Sequence, residues 1–265
     1  MTTLLVVLIS VSVGLIALKV YLWQIASYNI DKTQQYVQQQ YLPSGQMLEQ
    51  EVPNNTGAFY AFPNRIKAGN AQSIGGKDFQ RNYFATVPCD GRLLAVVSDG
   101  LDDNESGRLA AIIAVEILKR NFTEGLFEEA SPHEFFEASF QMIQKSLKDN
   151  ININQFGVKL AAVVMGSGVL SYAAIGDCVL MLCRNKEIFY LTENYEKCME
   201  QIPLEPKDSI VIASKGAFEG LTETVLIWCL GLAEHPQEKC HKLLKLIQQK
   251  PNLRDNLTIV VLEAP

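Results

Sequence analysis

Leu93-Leu94-Ala95-Val96-Val97-Ser98-Asp99-Gly100 is an unbroken apolar run that closes on an acid and a glycine. Five consecutive hydrophobic residues leave no polar face, so the run reads as a strand covered on both sides. The corner at its end sets a carboxylate on the rim of a buried sheet. Beside it, a glycine lets a backbone carbonyl approach closely, and oxygen donors of this kind suit a hard cation. A lone Asp-Gly is also an ordinary turn, so the reading depends on recurrence. The device returns in Leu170-Ser171-Tyr172-Ala173-Ala174-Ile175-Gly176-Asp177. It returns again, inverted, in Arg254-Asp255-Asn256 ahead of the apolar run 257–262.

Outward from these corners, further strands are expected at 82–87, 160–165, 179–183, 188–191 and 210–213. Helices are expected at 105–121, 132–148, 219–232 and 236–249. The second helix opens with Ser131 as N-cap, Pro132 in the first position and Glu134 completing a capping box. Phe136, Phe140, Ile143 and Leu147 follow at helical spacing, as do Cys240, Leu243, Leu244 and Ile247 in the last helix, which Pro251 stops. Short adjacent strands with tight links form antiparallel meanders. The fold class is therefore α+β, a β-sandwich of two antiparallel sheets flanked by helices, and not a doubly wound parallel sheet.

Taken in order, five stretches resemble the PPM family, the metal-dependent type 2C serine/threonine protein phosphatases. The segment from Ile74 to Asn82 is similar to G-x-R-x-x-N/Q-E-D, Val96 to Asp103 to V-A-D-G-M-G-G, and Ala174 to Cys178 to N-x-G-D-S. Ile212 to Gly216 is similar to L-x-S-D-G, and Asp255 to Thr258 to the closing D-N-I/M-T. The resemblance implies two divalent cations held by acids and a metal-bound water that attacks phosphate. It places Asp99 at the bridging aspartate, Gly100 at the glycine whose carbonyl helps to bind, and Asp255 at the C-terminal metal aspartate. Asp177 falls on the acid of an additional metal site.

The departures carry as much as the matches. Arg81 and Asn82 stand at the Glu and Asp of the first motif, and Lys215 at the Asp of S-D-G. Lys77 stands at the phosphate-contacting arginine, keeping the charge without the bidentate fork. Asp102 and Asp103 replace the two glycines after the bridging motif. The five acidic positions become Arg81, Asn82, Asp99, Lys215 and Asp255, whose formal charges cancel. A cluster of buried carboxylates without counter-charge is unstable, so these cations are expected to replace the metals. Lys215 is expected to span Asp99 and Asp255, with Arg81 filling near the second metal position; in the alternative, Lys215 points to solvent and one metal survives. The 192–209 connection is short where the family carries a flap, which implies an open groove.

The N-terminus has a different character. Residues 3–23 are predominantly apolar and carry one charge, Lys19; the run is long enough to cross a bilayer as a helix, with Tyr21 and Trp23 at the interface and Lys19 able to snorkel. A cleaved signal is disfavoured, since no basic n-region and no A-x-A site are present. Lys19 and Lys32 follow the span, which favours a cytoplasmic C-terminal domain. The expected organisation is a single-pass anchor at 1–23, a Gln-, Pro- and aromatic-containing tether at 24–64, and a PPM-like domain at 65–265. The six cysteines show no CxxC pair and read as core residues of a reducing compartment, with disulfides as the alternative if the domain is exported.

The chain has 265 residues, 48% of them hydrophobic, and a formal net charge of −6, which disfavours a nucleic-acid partner. No HExxH, P-loop, GxSxG or dinucleotide fingerprint occurs. The leading expectation is a membrane-anchored pseudophosphatase that binds a protein partner, a phosphoprotein or kinase, with no cofactor. One alternative is an active divergent phosphatase using Mn or Mg; a second is a structural subunit of a membrane assembly.

Overall fold

The computed structural model describes residues 66–151, 157–192, 198–251 and 253–265. The expected anchor with Lys19, Tyr21 and Trp23, and the tether after it, lie outside the described residues. Among those described, no helix is long and apolar enough to cross a membrane.

The chain runs β1 (Lys67–Ser73), β2 (Asn82–Cys89), β3 (Arg92–Gly100), α1 (Glu105–Thr123), α2 (Leu126–Glu129) and α3 (Pro132–Ile151). It continues through β4 (Val158–Gly166), β5 (Val169–Ile175), β6 (Val179–Arg184), β7 (Glu187–Tyr190), β8 (Cys198–Pro203) and β9 (Ser209–Ala213). It closes with α4 (Lys215–Glu219), α5 (Glu223–Leu230), α6 (Pro236–Gln248) and β10 (Leu257–Glu263). One sheet has the order β1-β10-β9-β6-β7 and the other β2-β3-β4-β5-β8. Every pairing is antiparallel.

The alternation of a strand explains why the central runs are apolar throughout. Leu93, Ala95 and Val97 face the other sheet, packing with Ala161, Val163, Leu180, Ile212 and Val260. Leu94 and Val96 face outward beneath α1 and α3, among Ile113, Ile117, Phe136, Phe140 and Ile143. The outer face of the second sheet is covered in the same way by α5 and α6 through Leu226, Cys229, Cys240, Leu243 and Ile247. The result is two antiparallel sheets between two helical layers. All six cysteines are free, four of them buried.

The capping box at α3 forms as the spacing requires. Ser131 N–H donates to Glu134 Oε2 at 2.9 Å, and Glu134 N–H to Ser131 Oγ at 3.3 Å. Several elements differ from expectation, among them the unexpected one-turn helix α2 between α1 and α3. β1 is an additional edge strand, with the weakly apolar sequence KAGNAQS. The short 192–209 connection contains β8, an edge strand paired to β5. The helix expected over 219–232 is shorter: α5 starts at Glu223, with Thr222 as its N-cap accepting from Val225 N–H at 3.4 Å, and ends at Leu230, while the unexpected short helix α4 precedes it and ends at Glu219.

Candidate functional site

The end of β3, the start of β4, the loops after β1 and β5, the start of α4 and the start of β10 meet on one rim of the sandwich. The side chains singled out in the sequence gather there. Register places Asn82 on β2 and Lys159 on β4 directly on either side of Asp99. Gly100 closes β3 against α1: a Cβ on it would come within 2.0 Å of the Gly107 carbonyl oxygen. This close approach is a packing reason for glycine at the corner.

Asn256 fixes the loop that delivers Arg81. Its Nδ2 donates to the carbonyls of Ile74 (2.8 Å) and Phe79 (3.0 Å), while its Oδ1 accepts from the Arg81 backbone N–H at 2.9 Å. Thr258 accepts from Asn82 Nδ2 at 3.1 Å, so Asn82 is a buried polar tie between β2 and β10. The Asp-Asn-Leu-Thr stretch thus acts through every residue but the leucine at this rim.

Arg81 is the central cation. Its side chain is 8% exposed, and its Nη2 lies 2.7 Å from Asp255 Oδ1 and 3.8 Å from Asp99 Oδ1. Its Nε is 3.4 Å from Asp103 Oδ1, and Asp103 Oδ2 is 2.7 Å from Lys77 Nζ. The spanning role expected of Lys215 therefore belongs to Arg81. Lys215 opens α4 and sends its half-exposed side chain to Asp177 Oδ2 at 3.5 Å and Glu219 at 3.9 Å. Its position at the first turn of α4 aims it at the β5–β6 corner, away from the gap between Asp99 and Asp255.

Sequence reasoning missed Lys159. Its Nζ donates to Asp177 Oδ2 at 2.9 Å. Gly176, at φ 80°, clears the path, for a Cβ there would sit 2.9 Å from Lys159 Cγ. The signal was present as a single charge inside the otherwise apolar strand VKLAAVVMG.

The electrostatics follow from this arrangement. Asp99 is 3% exposed, and burial is the main cause that pushes its carboxyl up to about 6. Arg81 and Lys159 pull it down, while the negative charges of Asp255 and Asp177 push it further up. Burial opposes the charge on Lys159, but its hydrogen bond to Asp177 and the charges of Asp177 and Asp99 outweigh burial and raise it. The hydrogen bond from Lys77, with help from the Arg81 charge, holds Asp103 below the usual carboxylate range. Asp99 Oδ1 and Asp177 Oδ1 are buried without a hydrogen-bond partner.

No protein-family model and no curated protein sequence matches the chain. Solved structures do. The serine/threonine phosphatase of S. agalactiae superposes with a TM-score of 0.68 at 16% identity, covering 76% of this chain and 100% of that one. The Mycobacterium tuberculosis serine/threonine phosphatase PstP/Ppp gives 0.63 at 14% identity, over 75% and 98%. The catalytic domain of PstP in complex with two manganese ions gives 0.62 at 15% identity, over 75% and 97%. At these identities the likeness is one of fold: the described domain has the architecture of the PP2C-type, or PPM, serine/threonine phosphatases.

Proposed function

We propose that this PPM-like domain is a pseudophosphatase, which keeps the phosphatase architecture for binding and does not hydrolyse phosphoesters. The observation that carries the reading is the guanidinium of Arg81 set between Asp255 and Asp99, at 2.7 and 3.8 Å. On the far side, two lysines share Asp177. PstP is described with two manganese ions. Here a pair of divalent cations on these acids does not fit, because side chains carry the positive charge that the carboxylates need. Among the described residues, no three His, Cys, Asp or Glu side chains converge as a ligand set. Lys77 retains a partly exposed cation on this rim, suited to holding a phosphorylated partner, a phosphoprotein or kinase. In this reading residues 1–23 anchor the protein to the membrane in a single pass, with the domain on the cytoplasmic face.

The test is turnover of a generic phosphoester by the full-length chain with excess Mn²⁺ or Mg²⁺. The reading expects a rate indistinguishable from buffer with metal. Metal-dependent turnover that Asp99→Asn abolishes would overturn it. A specific observation favours that second reading, an active phosphatase with a reduced metal site: the buried oxygens Asp99 Oδ1 and Asp177 Oδ1 have no hydrogen-bond partner, and such atoms attract a cation or a water.

A further inference from the structure

The rim of the sandwich contains an arrangement that the loss of metals does not explain. Asp103 lies in the loop between β3 and α1, and its carboxylate bridges two cations from the loop between β1 and β2. Oδ2 accepts from Lys77 Nζ at 2.7 Å, and Oδ1 lies 3.4 Å from Arg81 Nε. The three partners differ in how firmly they are held. Arg81 is locked from behind by Asp255 through Nη2 and by Asn256 through its backbone, and its side chain is 8% exposed. Its Nε is buried and makes no hydrogen bond, because the Asp103 oxygen facing it is poorly aligned. Asp103 is the exposed member, with a side chain 61% exposed.

An ion pair this exposed is weak, and an exposed rotamer exchanges quickly. The surroundings favour an anion at this point. Asp103 directly precedes Asn104, the N-cap of the nineteen-residue helix α1, whose positive end faces the same loop. Arg108 of α1 is also close, donating to the Gln80 carbonyl at 2.7 Å. The opposing acids are Asp99 and Asp255 behind Arg81, with Asp102 and Glu105 on either side of the Asp103–Asn104 pair.

We propose that Lys77 and Arg81 form a phosphate site that the chain keeps closed with its own carboxylate, so that a phosphate group enters when Asp103 swings away. Asp103 is then an internal stand-in for the ligand. A phosphate oxygen takes the Lys77 ammonium, and another aligns on the unsatisfied Arg81 Nε, which Asp103 reaches only obliquely. The inference rests on the reading of Lys77 as a phosphate contact. It adds that the site is autoinhibited, and that its affinity is set by a residue which does not itself bind the ligand.

The experiment is calorimetric titration of the full-length chain in detergent, in chelator-containing buffer at constant ionic strength. Inorganic phosphate is the first probe; a phosphoserine peptide and its unphosphorylated form are the second. Asp103→Ala is expected to bind phosphate at least about tenfold more tightly than the natural chain, and adding Lys77→Ala to that variant should remove the gain. Tighter binding of the phosphopeptide than of phosphate identifies a protein-borne ligand, and the converse a free anion; both support the site. Equal affinity of the natural chain and Asp103→Ala would overturn the inference. So would absence of phosphate binding from both while thermal unfolding shows each to be folded. Because metal is chelated throughout, these results are independent of phosphoester turnover, which alone decides the pseudophosphatase reading.

Discussion

Replacing Asp99 by Asn should stabilise the protein, an unusual expectation for a carboxylate at the centre of a phosphatase-like site. Asp99 is 3% exposed, and its carboxyl is pushed from 3.8 to about 6, chiefly by burial. A difference of about two pK units corresponds to roughly 3 kcal/mol, by which the ionised form is disfavoured in the folded state. The folded protein binds the proton more tightly than the unfolded chain. Stability from this group is therefore present below about pH 4 and is lost as the pH rises through about 6. Asparagine removes the titration. The attraction of Arg81 is already contained in that shift; exchanging a protonated carboxyl for an amide, which adds a buried N–H to satisfy, costs about 1 kcal/mol. The expected net gain is about 2 kcal/mol near pH 8, a rise of roughly 4–8 °C in the unfolding midpoint for a domain of this size. Near pH 4 the gain should vanish. Thermal and urea unfolding of the two chains at both pH values measures the difference. A variant less stable at pH 8, or one with the same gain at pH 4, would refute the assignment of Asp99 as an under-compensated buried acid.

Other consequences follow from the same packing. Arg81→Ala removes the cation shared by Asp255 and Asp99 and should cost about 3 kcal/mol, with part of the loss recovered when Asp99→Asn is added; a double-mutant cycle in urea measures the coupling. Lys239 is 3% exposed and donates to the Leu230 carbonyl at 2.6 Å and to Glu263 at 2.5 Å, tying α5, α6 and β10 together. Lys239→Met should therefore lower the unfolding free energy by about 2–3 kcal/mol, read from the same urea curves. Ser131→Ala breaks the capping box of α3 and should cost about 1 kcal/mol, visible as a shift in urea midpoint without a change in slope.

The sequence exposed those features that depend on local pattern. Runs such as 93–97 and 257–262 carry apolar residues on both strand faces because both faces are covered, and their short length and β-branched content favour a strand over a buried helix. The corners at Asp99, Asp177 and Asp255 fell where strands meet the rim. What stayed hidden depended on direction and partnership. β1 and β8 are edge strands with half-exposed, weakly apolar sequences, so their hydrogen bonding to β10 and β5 left little trace in composition. The charge cancellation across Arg81, Asn82, Asp99, Lys215 and Asp255 was legible; which cation crossed the gap was not. Lys215 is aimed by the start of α4, and Arg81 by the hold of Asn256 on its loop, and neither direction is written in spacing. Lys159 became visible only with the register that sets β4 beside β3.

The central claim is that side-chain cations have taken the place of metal ions. Calorimetric titration of Mn²⁺ and of Mg²⁺ into the full-length chain tests it most directly. The account predicts no saturable heat with either ion, and an unfolding midpoint unchanged by chelator. Saturable binding to the natural chain, lost in Asp99→Asn or Asp255→Asn, would contradict it.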